Sequence, residues 1–161
     1  MVRFEHIISI LVKSGYRVSQ FCVLAMMAIL VINIILRKAW HPITGAYDFV
    51  GFTAAVLAGF GIAYVALVKG HVAVELFIDR LPQRVQLIIG IIAGVLSLGV
   101  FCLVAWQTAV YGRSAWVSGE FSMTAYTPFY PFVFVVSLGV VLLSLVIFLD
   151  IIKSLVEVVK G

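Results

Sequence analysis

Four long apolar runs, separated by short polar segments, dominate the pattern of the chain. They predict membrane spans at about 19–37, 48–69, 85–111 and 131–152, each long enough for the roughly 17–25 residues that a crossing helix needs. Lipid offers no partner to backbone N–H and C=O groups, so helices, which pair these groups internally, are favoured over an open sheet. The pattern predicts an all-α membrane protein with four transmembrane helices in a single domain, residues 1–161.

Two shorter segments carry an amphipathic pattern instead. Between residues 71 and 82, apolar side chains recur at the i, i+3, i+4 and i+7 spacing of one helical face, at Val74, Phe77, Ile78 and Leu81. This spacing predicts an interfacial helix over 71–82 that ends at Pro82. A weaker version of the same pattern indicates a second interfacial helix over 3–15.

Composition agrees with a lipid environment. Apolar residues make up 64% of the chain, charged residues only 11%, and the mean hydropathy is +1.21, far from the values of soluble domains. Both cysteines, Cys22 and Cys102, lie within apolar runs and are interpreted as small hydrophobic residues. No basic and aromatic surface for nucleic acid is visible.

The distribution of Lys and Arg predicts the orientation. Three of these residues, Arg37, Lys38 and Arg113, fall on one side of the four spans, whereas the N-terminal segment, the 69–84 connection and the C-terminal segment hold the others. Since the cytoplasmic side is enriched in Lys and Arg, both termini and both interfacial helices are predicted to be cytoplasmic.

The apolar runs lack the residues that transport pathways and enzyme active sites normally use. Their middles carry no ionisable residue and no proline, the two features that mark ion pathways and broken transporter helices. The histidines lie outside the spans, which disfavours a haem held between helices, and no catalytic motif is present. We therefore expect neither an enzyme nor a cofactor in this chain; a stand-alone channel or exporter, or a cofactor-binding membrane protein, is the alternative.

Small residues mark two faces suited to close helix packing. Gly51, Ala55, Gly59 and Ala63 form a ladder at every fourth position of the second span, and Gly90 and Gly94 form a shorter pair in the third. Such positions let helix backbones approach closely. The neighbouring helix could belong to the same chain or to another subunit.

Segments 42–48 (PITGAYD), 70–82 (GHVAVELFIDRLP) and 119–131 carry three motifs. These motifs resemble those of the DctQ family, the small permease subunit of tripartite ATP-independent periplasmic (TRAP) transporters. The segment 70–82 reads GHVAVELFIDRLP and is similar to the family signature GH-x-x-V-(D/E)-L…RLP. The segment 42–48, PITGAYD, is similar to P-(I/L)-x-G-x-x-E, with Asp48 where Glu is commoner. The stretch from Gly119 to Pro131 is similar to G-E-x-S…P-x-(W/Y)-P, without its usual Trp.

The resemblance implies a subunit of a sodium-coupled, binding-protein-dependent importer of organic anions in a bacterial or archaeal inner membrane. Its partners would be a large, many-spanning permease subunit, which holds the sodium and substrate sites, and a periplasmic substrate-binding protein. The small subunit would act as a scaffold. The motif and small-residue positions are the expected contact surface: Pro42, Gly45, Asp48, Gly51, Ala55, Gly59, Ala63, Gly70, His71, Glu75, Asp79, Arg80, Leu81, Pro82, Gly119, Glu120, Ser122, Pro128 and Pro131.

Overall fold

A computed structural model describes residues 2–39, 41–68 and 83–160, with the side chains of residues 6–39, 41–68, 85–86 and 88–156. The predicted interfacial helix over 71–82 lies outside the described residues, and so do its motif positions Gly70, His71, Glu75, Asp79, Arg80, Leu81 and Pro82.

Four helices make up almost all of the described chain: α1 (Val2–Ala39), α2 (Ala46–Leu67), α3 (Gln83–Ser118) and α4 (Tyr130–Lys160). Each contains a stretch that is long and apolar enough to cross a membrane. The all-α fold with four spanning helices is therefore confirmed. Where the membrane boundaries fall on these helices stays a prediction.

The first helix is longer than its predicted span. The segment 3–15, predicted as a separate interfacial helix, and the span 19–37 form one continuous helix of 38 residues, about 57 Å long at 1.5 Å per residue. Ile8 and Val12 are buried in the core of the protein, against residues of α2 and α4. Their packing explains the continuity, because the apolar face of 3–15 finds its partner inside the chain.

The third helix also extends further than predicted. It passes Tyr111 and continues to Ser118, because Gly112 and Ala115 are buried. A Cβ atom added at Gly112 would lie only 3.2 Å from Val133 of α4. Residues 112–118, which follow the predicted third span, therefore belong to a helix that packs on α4.

The helices form a row rather than a closed square. The main packing contacts join α1 to α2, α2 to α4, and α4 to α3, with a smaller contact between α1 and α4. The core lies where α1, α2 and α4 meet, around Val12, Phe60, Ala63 and Leu143. The two ends of the row are the most exposed: over their most apolar windows, only 11% of α1 and 6% of α3 is buried.

Candidate functional site

Polar contacts concentrate at one end of the helices, where two loops meet the first turn of α2. The described parts of these loops are residues 41–45, between α1 and α2, and 119–129, between α3 and α4. We call the assembly of these loops with the first turn of α2 the loop cap. It contains seven of the predicted positions and brings three of them, Gly45, Asp48 and Ser122, together; the other four are Pro42, Gly119, Glu120 and Pro128.

Asp48 joins the second loop to α2. One of its carboxylate oxygens, Oδ2, accepts hydrogen bonds from the Ser122 hydroxyl and from the Ala125 backbone N–H, the latter at 3.2 Å. Asp48 lies in the first turn of α2, where the positive end of the helix dipole favours a negative side chain. The same carboxylate therefore stabilises the helix start and holds the loop.

Ser122 organises the loop itself. Its buried hydroxyl oxygen accepts the backbone N–H groups of Thr124 and Ala125, at 3.3 and 3.2 Å. Its backbone N–H donates to the carbonyl of Thr127 at 2.9 Å, and an isolated β-bridge joins Phe121 to Pro128. The result is a short hairpin-like turn that presents Ser122 to Asp48.

Two glycines with positive φ angles lie at the boundaries of these loops. Gly45, at φ +81°, precedes α2, and a Cβ atom there would lie 2.5 Å from the Ala125 side chain and 2.6 Å from its backbone. Gly119, at φ +62°, follows α3, and the next N–H, of Glu120, donates to the Ala115 carbonyl at 3.1 Å. This 6→1 bond is the C-terminal Schellman cap that glycine allows.

The first loop is tied to α1 by Asn33. This buried amide accepts the backbone N–H of Ile43 at 2.9 Å through its Oδ1 atom. Asn33 therefore satisfies a loop, whereas the Thr53 hydroxyl bonds to its own helix at the Phe49 carbonyl.

Aromatic packing completes the loop cap. Phe52 of α2 stacks on Phe132 of α4 with ring centroids 4.5 Å apart, and meets Phe129 edge-on at 5.3 Å. In contrast, Met123 and Tyr126 are 95% and 81% exposed. The loop therefore has an inner aromatic face that fixes it to the helices and an outer face that is open.

The small-residue ladder of α2 is divided between the interior and the surface. Gly59 and Ala63 are buried, whereas Gly51 and Ala55 are exposed. Gly59 meets Gly139 of α4, where an added Cβ atom would lie 2.7 Å from the Gly59 carbonyl carbon. Helical geometry explains the division, because each four-residue step turns the side chain by about 40° around the axis.

The other predicted positions lie elsewhere in the loop cap or on the helices. Pro42, Glu120 and Pro131 are exposed, and Pro128 is half-buried in the β-bridge. Gly94 packs against Ile151, while Gly90 faces open space. Within the described part of the chain, no group of three or more His, Cys, Asp or Glu residues is arranged to hold a metal ion.

Arg17 of α1 lies at a height along the helix axes that the sequence did not predict. Ser19 of α1 donates to the Leu57 carbonyl of α2 at 3.3 Å, and Gly15 lies against the Phe60 ring. Arg17, between Ser19 and Gly15, is therefore level with the middle of α2. It is exposed, on the side of α1 away from the core.

The fold and the loop cap define a multi-pass helical membrane protein with little of its apolar surface buried internally. The family model of the DctQ component of tripartite ATP-independent periplasmic transporters matches residues 26–157. The chain belongs to this family. No curated protein and no solved structure matches the chain significantly.

Membership confirms the resemblance found in the sequence. The chain is the small membrane subunit of a TRAP transporter, an inner-membrane transport component and not a member of an enzyme family. Because these transporters have three components, membership in the family implies a large permease subunit and a periplasmic binding protein as partners.

Proposed function

We propose that this chain is the scaffold subunit of a sodium-coupled importer of organic anions. It stabilises the large permease subunit, which holds the sodium and substrate sites, and offers its outer surface to the binding protein. The chain itself holds no cofactor. It lies in the membrane with both termini in the cytoplasm, so the loop cap faces the periplasm.

The observation that carries the scaffold role is the open row of helices. A helix bundle that acts alone can close on itself, whereas α1 and α3 leave almost their whole apolar windows outside the chain. Close contacts such as Gly59 with Gly139 use only the centre of the row. The two end helices therefore provide long faces for lipid and for a neighbouring membrane subunit.

The test is uptake by proteoliposomes that contain the large subunit with and without this chain, supplied with the cognate binding protein. We expect uptake of an organic anion only with both membrane subunits, the binding protein and an inward sodium gradient. Replacing sodium by potassium should abolish uptake. Full uptake without this chain would contradict the scaffold role. Uptake that is independent of the sodium gradient would contradict the proposed sodium coupling.

A further inference from the structure

The outward face of α1 changes character along its length. The buried face of this helix includes Gly15 and Ser19, and Arg17 lies two residues from each, about 200° around the axis. Lys13 and Gln20 are exposed on the same side, at i−4 and i+3. Beyond Gln20 the same face is apolar, with exposed Leu24 and Met27. We call Lys13, Arg17 and Gln20 the polar stripe.

With the span of α2 centred in the bilayer, Arg17 of the polar stripe lies at the depth of the bilayer centre, deeper than the predicted first span, 19–37, would place it. The apolar run of α2 lies between Asp48 and Lys69, and α2 has 22 residues, or about 33 Å, which matches a hydrocarbon thickness of about 30 Å. Arg17 is level with the segment between Leu57 and Phe60. Its Cα atom therefore lies about 15 Å from either headgroup layer.

A guanidinium at this depth needs a partner other than water. Charged side chains at the bilayer centre are unfavourable, and they normally face protein or a polar cavity. Among the described side chains, the carboxylates are Asp48, Glu120 and Asp150. Asp48 and Glu120 belong to the loop cap, at one end of the helices. Asp150 lies towards the opposite end of α4. None of the three is therefore level with Arg17.

A shallow groove beside the polar stripe offers a surface on which a further helix can pack. A cavity of about 410 Å³ runs between α1 and α2 and is lined by Tyr16 and Gln20 on one side and by Ala58 and Gly61 on the other. A Cβ atom added at Gly61 would meet nothing within 4 Å. Small residues at a groove let a further helix approach closely.

We propose that a transmembrane helix of the large permease subunit covers the outward face of α1 and places a carboxylate against Arg17. This inference rests on the proposed function. Lipid phosphate is the wrong partner, because a side chain that extends along the helix does not reach headgroups about 15 Å away. A second copy of this chain is also wrong, because its described carboxylates, Asp48, Glu120 and Asp150, are not level with Arg17.

The first experiment is recovery of the large subunit by the tagged small subunit after co-expression, with the wild-type chain, R17M, R17K and the control R113M. We expect R17M to reduce recovery by roughly tenfold or more, since the partner carboxylate loses its counter-charge. R17K should retain most of the recovery. R113M, at an exposed position near the end of α3, should match the wild type.

The outcomes separate the two proposals. If the wild-type chain recovers no large subunit, the proposed function fails. If the wild type recovers it and R17M recovers as much, only the carboxylate pairing is overturned. Size-exclusion chromatography of R17M alone in detergent shows whether the variant itself remains folded.

A second measurement does not depend on the stability of any Arg17 variant. A photo-crosslinking amino acid replaces Leu24, two turns from Arg17 on the same face, or Leu138, an exposed control on α4 in the centre of the row. We expect Leu24 to yield an adduct with the large subunit. Adducts only with lipid, or with a second copy of this chain, would overturn the proposal.

Discussion

Single residues of the loop cap connect segments that are far apart in the sequence. Asp48 and Ser122 are separated by 74 positions and share a hydrogen bond, while Gly45 lies against Ala125. The motif spacing indicated Gly45, Asp48 and Ser122 as important, but not that they are in contact. Ala125 has no polar side chain and takes part through its backbone, so no sequence pattern pointed to it.

At Asp48, we expect D48N and S122A to loosen the 119–129 loop, because each removes the hydroxyl–carboxylate hydrogen bond. Amide hydrogen exchange at Ser122 and Ala125 should become faster in both variants. The double variant should show less than the sum of the two effects, since both changes break one interaction. Additive effects would show that the two side chains stabilise the loop independently.

Gly45 and Gly119 share a left-handed backbone conformation but differ in the space around them. Both have positive φ angles, for which an alanine costs roughly 1–2 kcal/mol. Only G45A also forces a Cβ atom against Ala125, so its melting temperature in detergent should fall further than that of G119A. Equal melting temperatures would show that the contact relaxes without cost.

At the scale of elements, the close crossing of α2 and α4 involves a glycine that the sequence did not reveal. The α2 ladder pointed to Gly59, but its partner Gly139 has no small residue four positions away, since Val135 and Leu143 stand there. A search for small-xxx-small pairs therefore misses it. The contact also shows that Gly59 packs against another helix of the same chain.

Replacing Gly139 by alanine should destabilise the protein, because the new Cβ atom would lie 2.7 Å from the carbonyl carbon and 2.8 Å from the carbonyl oxygen of Gly59. Overpacking of this kind costs about 1–3 kcal/mol. The control G99A faces open space on α3 and should not destabilise the protein, since alanine is favoured over glycine in a helix interior by roughly 0.5–1 kcal/mol. Thermal unfolding in detergent measures both, and an unchanged G139A would contradict the tight crossing.

At the scale of the whole molecule, the row of helices decides which surfaces are available to partners. The ends of the row, α1 and α3, are exposed, and the loop cap lies at one end of the helices. If the loop cap is periplasmic, its open residues Met123 and Tyr126 face the side from which a binding protein delivers substrate.

The orientation can be checked with a cysteine in the loop cap. In a chain whose Cys22 and Cys102 are replaced by alanine, we expect Y126C to react with a membrane-impermeant maleimide in intact spheroplasts, since this position is 81% exposed. A fluorescent protein fused after Gly161 should fluoresce in the cytoplasm. Labelling of Y126C only after permeabilisation would reverse the orientation.

The sequence by itself determined the number of spans, the helical fold and the family, because hydrophobic length and local motifs are properties of contiguous residues. Tertiary structure alone decided that segment 3–15 continues into α1, that half of the α2 ladder is internal, and that Asp48 meets Ser122. It also placed Arg17 level with the middle of α2. These features depend on how one helix is shifted and rotated against another, which is set by packing between distant segments and leaves no periodic trace in the sequence.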